Sequence, residues 1–185
     1  PFLIDDEGIS VLPVTSLKLD KPVSSDTISS GIGALDEMFP MGGFYKGSSI
    51  LVSGTAGTGK TSIAASFVNQ ACLKKDKCLF FAFEESPAQI IRNMRSIGMD
   101  LQKHVDKGLL QFYASRPTMF GLEMHLVAIH KAIQMFKPKV VVLDPITNLI
   151  TVGSFSDVKA MLVRLIDFLQ NEQITVMFTA LTLNT

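Results

Sequence analysis

The sequence predicts an α/β fold with a mostly parallel, twisted sheet and helices on both of its faces. From residue 48 onward, short apolar runs alternate with segments in which apolar residues recur every three or four positions. This alternation is typical of βαβ units, whose strands run parallel. Several runs, such as Val140–Leu143, are apolar at every position, as expected for strands that helices cover on both faces.

Five segments are predicted to be the strands of this sheet. They are Ser49–Ser53, Cys78–Phe83, Leu110–Ala114, Val140–Leu143 and Ile174–Ala180.

Three helices between these strands are predicted from their start signals and apolar stripes. Ser86 is a helix-capping residue, with Pro87 at the first helical position and Gln89 in the capping-box position, so a helix is expected from Pro87 to Ile97. Two further stripes should pack on the sheet. They are Leu122, Leu126, Ile129, Ile133 and Phe136, and then Val158, Met161, Leu162, Leu165, Ile166 and Leu169, with Ser156 and Asp157 at the start. The histidines, His104, His125 and His130, are expected on solvated helix faces.

Residues 54–61 match the phosphate-binding pattern G-x-x-x-x-G-K-[ST] between an apolar strand and a helical segment. Glycines let the backbone N–H groups of such a loop turn towards phosphate oxygens, and the following helix directs its positive N-terminus at the same anion. Lys60 is expected to reach the β- and γ-phosphates of ATP in a catalytic role, and the Thr61 hydroxyl is expected to bind Mg²⁺. The predicted nucleotide-binding residues are Gly54, Thr55, Ala56, Gly57, Thr58, Gly59, Lys60, Thr61 and Ser62.

Asp144 directly follows the apolar run Val140–Leu143. The carboxylate therefore lies at the C-terminal edge of a predicted buried strand, where open α/β sheets bind their ligands. This is the Walker B arrangement, in which we expect Asp144 to contribute to the nucleotide site by holding Mg²⁺ directly or through water. An aspartate after a strand is also a common turn former or helix cap, but the P-loop upstream favours the functional interpretation.

Glu84 and Glu85 follow the predicted strand Cys78–Phe83, which should end at the same edge of the sheet. A carboxylate near the γ-phosphate can orient or deprotonate the attacking nucleophile, so both glutamates are predicted to be catalytic. The alternative is that they are solvated residues before a helix whose N-terminus favours negative charge. The P-loop again favours the catalytic interpretation.

Composition indicates one domain and argues against binding to a membrane or to nucleic acid. The 185 residues are 47% hydrophobic, and no run of about eighteen apolar residues could span a bilayer. Seventeen Lys and Arg balance seventeen Asp and Glu, so no overall field attracts nucleic acid or an anionic membrane. Cys72 and Cys78 match no zinc or redox spacing and are expected to pack as ordinary side chains, in line with a cytoplasmic location.

The P-loop, the glutamate pair and Asp144 together resemble the RecA superfamily of P-loop NTPases, and within it the KaiC family. The resemblance covers roughly residues 25–183 and implies a RecA-like fold. Phe83–Ser86 and the residues after it are most similar to the second, C-terminal ATPase domain of that family. The other stretches that carry the resemblance are Ser30–Met38, Gly42–Phe44, Lys46–Ser48, Gln89, Arg92, Asn93 and Gly98–Asp100.

Membership of this family implies ATP and Mg²⁺ as ligands, Mg²⁺-dependent ATP hydrolysis, and Ser/Thr autokinase activity in the intact protein. It also implies a homohexameric ring with ATP between protomers, and a KaiB-like or other signalling protein as a partner. Carried over by position, Glu84 and Glu85 are the catalytic carboxylates, and Mg²⁺ is held by Thr61, Glu84 and Asp144. Ile97 is expected at the nucleotide base, where the second domain of the clock protein has an aromatic residue.

The two ends of the chain are typical of a fragment. Residues 1–24 contain two apolar runs around a polar turn, and are assigned to a hairpin and linker from a preceding domain. Residues 25–185 are assigned to the ATPase domain, which we expect to be incomplete because the chain stops directly after a strand-like run. The resemblance places the family's phosphorylated Ser/Thr pair and trans-acting basic residues beyond residue 185. Residues 1–185 alone should therefore hydrolyse ATP poorly.

Two other functions share this core. A DNA-recombination ATPase of the RecA or RadA kind is disfavoured by the zero net charge and by Pro145–Ser156, which contains no Lys or Arg. An ATP-gated signalling scaffold, in which nucleotide controls partner binding and hydrolysis is incidental, is the other alternative.

Overall fold

A five-stranded parallel sheet organises the chain. The computed structural model describes residues 2–5, 8–11, 23–116, 118 and 121–182. Two short antiparallel pairs come first: β1 (Phe2–Asp5) with β2 (Gly8–Val11), and β3 (Thr27–Ile28) with β4 (Phe44–Tyr45). The parallel strands are β5 (Ser49–Gly54), β6 (Cys78–Ala82), β7 (Leu110–Ala114), β8 (Val140–Asp144) and β9 (Thr175–Leu181).

The strand order in this sheet is β5-β9-β8-β6-β7, with every neighbouring pair parallel. The C-terminal ends of all five strands therefore lie at one edge. The five predicted strands are confirmed to within one residue at each end, and the α/β fold with a parallel sheet is confirmed as well.

Helices cover both faces of the sheet. The helices are α1 (Gly33–Asp36), α2 (Lys60–Leu73), α3 (Pro87–Ser96), α4 (Gln102–Asp106), α5 (Leu122–Phe136) and α6 (Phe155–Asn171), with a 3-10 helix over Ile146–Val152. Apolar residues of α2 and α3 share one buried cluster with one face of the sheet, and those of α5 and α6 share a second cluster with the other face.

Strands β6 and β8 show why a run without polar residues is required at the centre of the sheet. Phe80 and Val142 belong to the cluster under α2 and α3, whereas Phe81 and Leu143 belong to the cluster under α5 and α6. Successive side chains of a strand point to opposite faces, so a strand covered on both sides buries all of them.

The start of α3 is as predicted, and α6 has the predicted Ser156 and Asp157 in its first turn. Ser86 and Gln89 form the predicted capping box of α3. In α6 the capping residue is Ser154, whose hydroxyl accepts from the Asp157 N–H while the Asp157 carboxylate accepts from the Ser154 N–H. Asp157 stands three residues after Ser154, which is the spacing that a capping box requires, so the helix begins at Phe155.

The expectation for the three histidines is wrong. His104 and His125 are each 2% exposed, with His104 Nε2 2.9 Å from Asn69 Oδ1 and the His125 ring edge-on to Phe83. His130 stacks on Phe168 with ring centroids 3.8 Å apart, and burial lowers its pKa to about 4 because desolvation disfavours the charged imidazolium. Neighbouring elements cover the helix faces on which these histidines lie. The apolar stripe of a helix indicates which face packs on the sheet, but it does not indicate whether other elements cover the remaining faces.

The remaining expectations about the chain concern its cysteines and its ends. Cys72 and Cys78 are buried, form no disulfide and pack as ordinary side chains, as predicted. Among the described residues no helix is long and apolar enough to cross a membrane. β1 and β2 form the expected hairpin, but its origin in a preceding domain and the incomplete ATPase domain over 25–185 stay predictions, and the linker over 12–22 lies outside the described residues.

Candidate active site

The edge at which the parallel strands end carries an open cavity of about 330 Å³. Three separate segments meet there: the P-loop after β5, the glutamate pair after β6, and Asp144 at the end of β8. Ala82 lies opposite Asp144 in the register of β6 and β8, which brings the glutamates close to that aspartate. The lining residues are Ala56, Gly57, Gly59, Lys60, Thr61, Ser62, Glu84, Glu85, Asp144, Pro145 and Leu181.

The P-loop closes on itself through the Thr55 carbonyl. That oxygen accepts from Thr58 Oγ1 at 2.8 Å and from Lys60 Nζ at 2.5 Å. Gly57 and Gly59 have φ values of +79° and +83°, the left-handed region that other residues adopt at a cost. The glycines are thus needed for backbone conformation, and Lys60 is held at the cavity in a 9% exposed position.

The N-terminus of α2 fits a phosphate group. Gly59 occupies the N-cap position without a capping side chain, and the first turn of the helix has no acidic residue. The first N–H groups of a helix lack intrahelical acceptors and carry partial positive charge. Because these N–H groups lie at a cavity that Lys60 also lines, the residues present suit an anionic ligand such as a nucleoside triphosphate.

Asp144 is a buried carboxylate with a fixed orientation. It is 6% exposed, and its Oδ1 accepts a hydrogen bond from the fully buried hydroxyl of Thr179 in β9. Its backbone oxygen accepts from the Phe83 N–H at 2.9 Å, which ties the start of the glutamate segment to β8. Among the described residues Asp144 makes no salt bridge. A buried carboxylate without a salt bridge, in the cavity that Thr61 and Glu84 also line, suits a hard divalent cation such as Mg²⁺.

The two glutamates differ in their surroundings. Glu84 is exposed, whereas Glu85 is half-buried and its Oε2 accepts a hydrogen bond of 3.0 Å from Asn93 Nδ2 in α3. Both line the cavity beside Lys60 and Asp144. A solvent-exposed carboxylate at this cavity can accept a proton from a water molecule that attacks a bound phosphate.

Not every predicted site residue lines the cavity. Gly54, Thr55 and Thr58 shape the loop, and a Cβ at Gly54 would lie 2.8 Å from Thr58 Oγ1. Ile97 is the C-cap residue of α3, is 61% exposed, and is not among the residues that line the cavity. Its contact with a nucleotide base therefore stays a prediction.

Four residues at or next to the site were not predicted from the sequence: Pro145 and Leu181 line the cavity, whereas Thr179 and Asn93 donate hydrogen bonds to its carboxylates. Thr179 and Leu181 stand at the end of a predicted strand, so they carried the same positional signal as Asp144. Sequence does not give the strand order that places β9 between β5 and β8. Asn93 stands two turns into a helix, where its position resembles that of any exposed polar residue.

The fold and this cavity define a RecA-like P-loop ATPase domain. The model of the family described as "ATPase: KaiC" matches residues 28–182. The chain is 54% identical to circadian clock protein KaiC2 of Synechocystis sp. over 98% of its own length and 32% of that protein. It is 38% identical to circadian clock oscillator protein KaiC of Synechococcus elongatus over 97% of its length and 34% of that protein. The chain therefore belongs to the KaiC ATPase family, and it spans about a third of the length of these relatives.

Proposed function

We propose that this domain binds Mg·ATP in the cavity at the strand edge and hydrolyses the bond to the γ-phosphate. The observation that supports this most is the convergence of the P-loop, Glu84, Glu85 and Asp144 on one cavity, although these residues come from three separate strands. Each group has the chemistry that one part of the reaction requires.

Binding of the triphosphate is assigned to the P-loop and α2. The N–H groups of residues 56–61 and the uncapped helix N-terminus donate to phosphate oxygens, and Lys60 supplies a full positive charge. The bond from Lys60 to the Thr55 carbonyl keeps the ammonium group at the cavity, so little ordering is needed when the nucleotide binds.

The metal is assigned to Thr61, Asp144 and Glu84, which contribute a hydroxyl and two carboxylates to the lining of the cavity. When bound, Mg²⁺ neutralises negative charge on the phosphate oxygens during transfer. Asp144 is kept in one orientation by Thr179, and Thr61 is fixed in the first turn of α2.

The attacking water is assigned to Glu84, with Glu85 beside it. As the water oxygen bonds to the γ-phosphorus, the bond from phosphorus to the bridging oxygen of ADP breaks, and the water proton passes to the Glu84 carboxylate. Glu84 suits this step because it is exposed at the cavity, and within the described residues it makes no hydrogen bond or ion pair.

Metal removal tests the proposed function. Phosphate release from ATP by the intact protein should require Mg²⁺, and chelation with EDTA should reduce it to background, because the metal offsets the negative charge that the triphosphate brings beside the carboxylates of the cavity. Addition of excess Mg²⁺ should restore the rate. Turnover that is equal with and without EDTA would contradict the assigned role of the cavity.

The intact protein is further proposed to be a hexameric ring that phosphorylates its own Ser or Thr residues and acts with a KaiB-like or other signalling protein. The support is the resemblance of residues 83–100 to the second ATPase domain of the family, together with relatives named as circadian clock proteins. In this activity a Ser or Thr hydroxyl replaces water as the nucleophile. Incorporation of label from γ-labelled ATP, and light scattering with and without ATP, are the measurements.

Replacement of Thr179 by valine should raise the Mg²⁺ concentration that turnover requires. Valine has nearly the same shape but lacks the hydroxyl that orients Asp144, and loss of such a supporting bond typically reduces metal affinity by about 10- to 100-fold. We expect the Mg²⁺ concentration for half-maximal phosphate release to rise, with recovery in Thr179→Ser. An unchanged Mg²⁺ titration in Thr179→Val would show that Asp144 needs no support.

The two alternative functions lead to different measurements. A recombination ATPase would be retained on single-stranded DNA in a salt-dependent way. An ATP-gated scaffold would assemble with ATP and keep its partner binding when both glutamates are changed to glutamine, even though hydrolysis is lost.

A further inference from the structure

Asn93 is hydrogen-bonded to one of the two adjacent glutamates of the site and not to the other. Its Nδ2 donates to Glu85 Oε2 at 3.0 Å. Glu84, directly before Glu85, is exposed and makes no hydrogen bond or ion pair with any described residue. The two adjacent carboxylates therefore differ in their contacts. Asn93 on α3 holds Glu85, whereas Glu84 is available to interact with a ligand at the cavity.

The donor is itself in a fixed position. α3 begins with a capping box at Ser86, one residue after Glu85, and it is anchored in the core by Ile90 and Met94. Asn93 lies seven residues after Ser86, which is about two helical turns, so it stands on the same side of the helix as the chain that enters it. The reach from Asn93 to Glu85 thus depends on a helix whose start and core contacts are both defined.

Arg92 settles the orientation of the Asn93 amide. Its Nε and Nη2 atoms donate to Asn93 Oδ1 at 3.3 Å and 3.1 Å. A guanidinium has only donors and a carboxylate has only acceptors, so the amide must direct its oxygen at Arg92 and its nitrogen at Glu85. Rotation of the amide by half a turn would leave all three hydrogen bonds unmade.

We propose that Asn93 is a positioning residue for ATP hydrolysis, which fixes the Glu85 carboxylate at the cavity, and that Arg92 acts through Asn93 by fixing its amide. This inference rests on the proposed function. Asn93 does not line the cavity, so it contributes no contact to the nucleotide. The hydrogen bond from Asn93 limits the Glu85 side chain to one rotamer. The Glu85 carboxylate then cannot move into the position that Glu84 occupies at the cavity.

Asn93→Ala in the intact protein separates this role from a structural one. We expect kcat for phosphate release to fall by about tenfold, since a charge-assisted bond is lost and Glu85 gains rotamer freedom, while the KM for ATP stays within about twofold. Asn171→Ala, at an exposed asparagine at the end of α6, is the matched control and should leave both constants unchanged. Thermal unfolding and affinity for a fluorescent ATP analogue should match the unmodified protein.

Asn93→Asp has nearly the same size and adds a readout that a structural role would not move. An ionised carboxylate only accepts hydrogen bonds, so this variant loses the bond to Glu85 Oε2, and kcat should fall at least as far as in Asn93→Ala. The KM for ATP should again stay within about twofold. A residue that only supported the fold would leave kcat unchanged in a variant that keeps the size of the side chain and the unfolding temperature.

The role of Arg92 is tested in two backgrounds. Arg92→Ala should lower kcat in the otherwise unmodified protein and should have no further effect in Asn93→Ala, because residues in one network are not additive. An unchanged kcat in both Asn93 variants would overturn the inference. If Lys60→Ala also keeps full turnover, the proposed function fails with it; if Lys60→Ala is inactive, only the role of Asn93 fails.

Discussion

Lys60→Ala is expected to lower kcat/KM for ATP hydrolysis by about a hundredfold or more, as removal of one donor from a charge-stabilising site does. Among the described residues that line the cavity, Lys60 is the single basic one, and it is nearly buried. Its Nζ also bonds to the Thr55 carbonyl, so alanine removes both the charge that faces the phosphates and a bond that closes the loop. Affinity for a fluorescent ATP analogue should fall together with turnover.

The matched control for this change is Lys74→Ala. Lys74 is exposed and directly follows the same helix, α2, at the end far from the P-loop. Its replacement removes the same charge from the protein and should leave turnover and binding unchanged. Equal nucleotide affinity in Lys60→Ala and Lys74→Ala would remove the P-loop lysine from the binding site.

The double change Glu84→Gln and Glu85→Gln is expected to lower kcat by about 10²- to 10⁴-fold, which is the usual contribution of a positioned general base. Glutamine keeps the size of the side chain but accepts no proton near neutral pH. Phosphate release in single-turnover experiments is the measurement, and affinity for the ATP analogue should change little because Lys60 and the P-loop remain.

Glu172→Gln is the control for the glutamate pair, since Glu172 is an exposed residue at the end of α6 and does not line the cavity. The single changes then divide the role. Glu84→Gln should account for most of the loss if the exposed glutamate takes the proton. Undiminished turnover in the double variant would remove both carboxylates from the mechanism.

The strands of the sheet and the class of fold followed from the sequence because burial on both faces leaves a strong signal. β8 reads as four apolar residues before Asp144, and no other arrangement of a short strand buries them all. The short pair of β3 and β4, and the single-turn helices α1 and α4, were not predicted. Elements of two to five residues depend on tertiary contacts and have no period to detect.

The P-loop, the glutamate pair and Asp144 were found from their positions at strand ends, whereas their partners were not. Thr179 reaches Asp144 only because β9 lies beside β8, and the strand order is not encoded in any local pattern. Asn93 reaches Glu85 across two helical turns, and nothing near it in the sequence marks that contact. The histidines were misplaced for the same reason, since the elements that cover them are distant along the chain.

The sheet order has a thermodynamic consequence for the cavity. Its lining residues extend from Ala56 to Leu181, and within the sheet β9 and β8 lie between the strand before the P-loop and the strand before the glutamates. Opening of that central pairing would separate the P-loop from the carboxylates, so a partly unfolded chain cannot bind nucleotide as the native one does. Ligand binding and global unfolding are thus linked. Above the dissociation constant, each tenfold increase in nucleotide concentration adds about 1.4 kcal/mol to the free energy of unfolding.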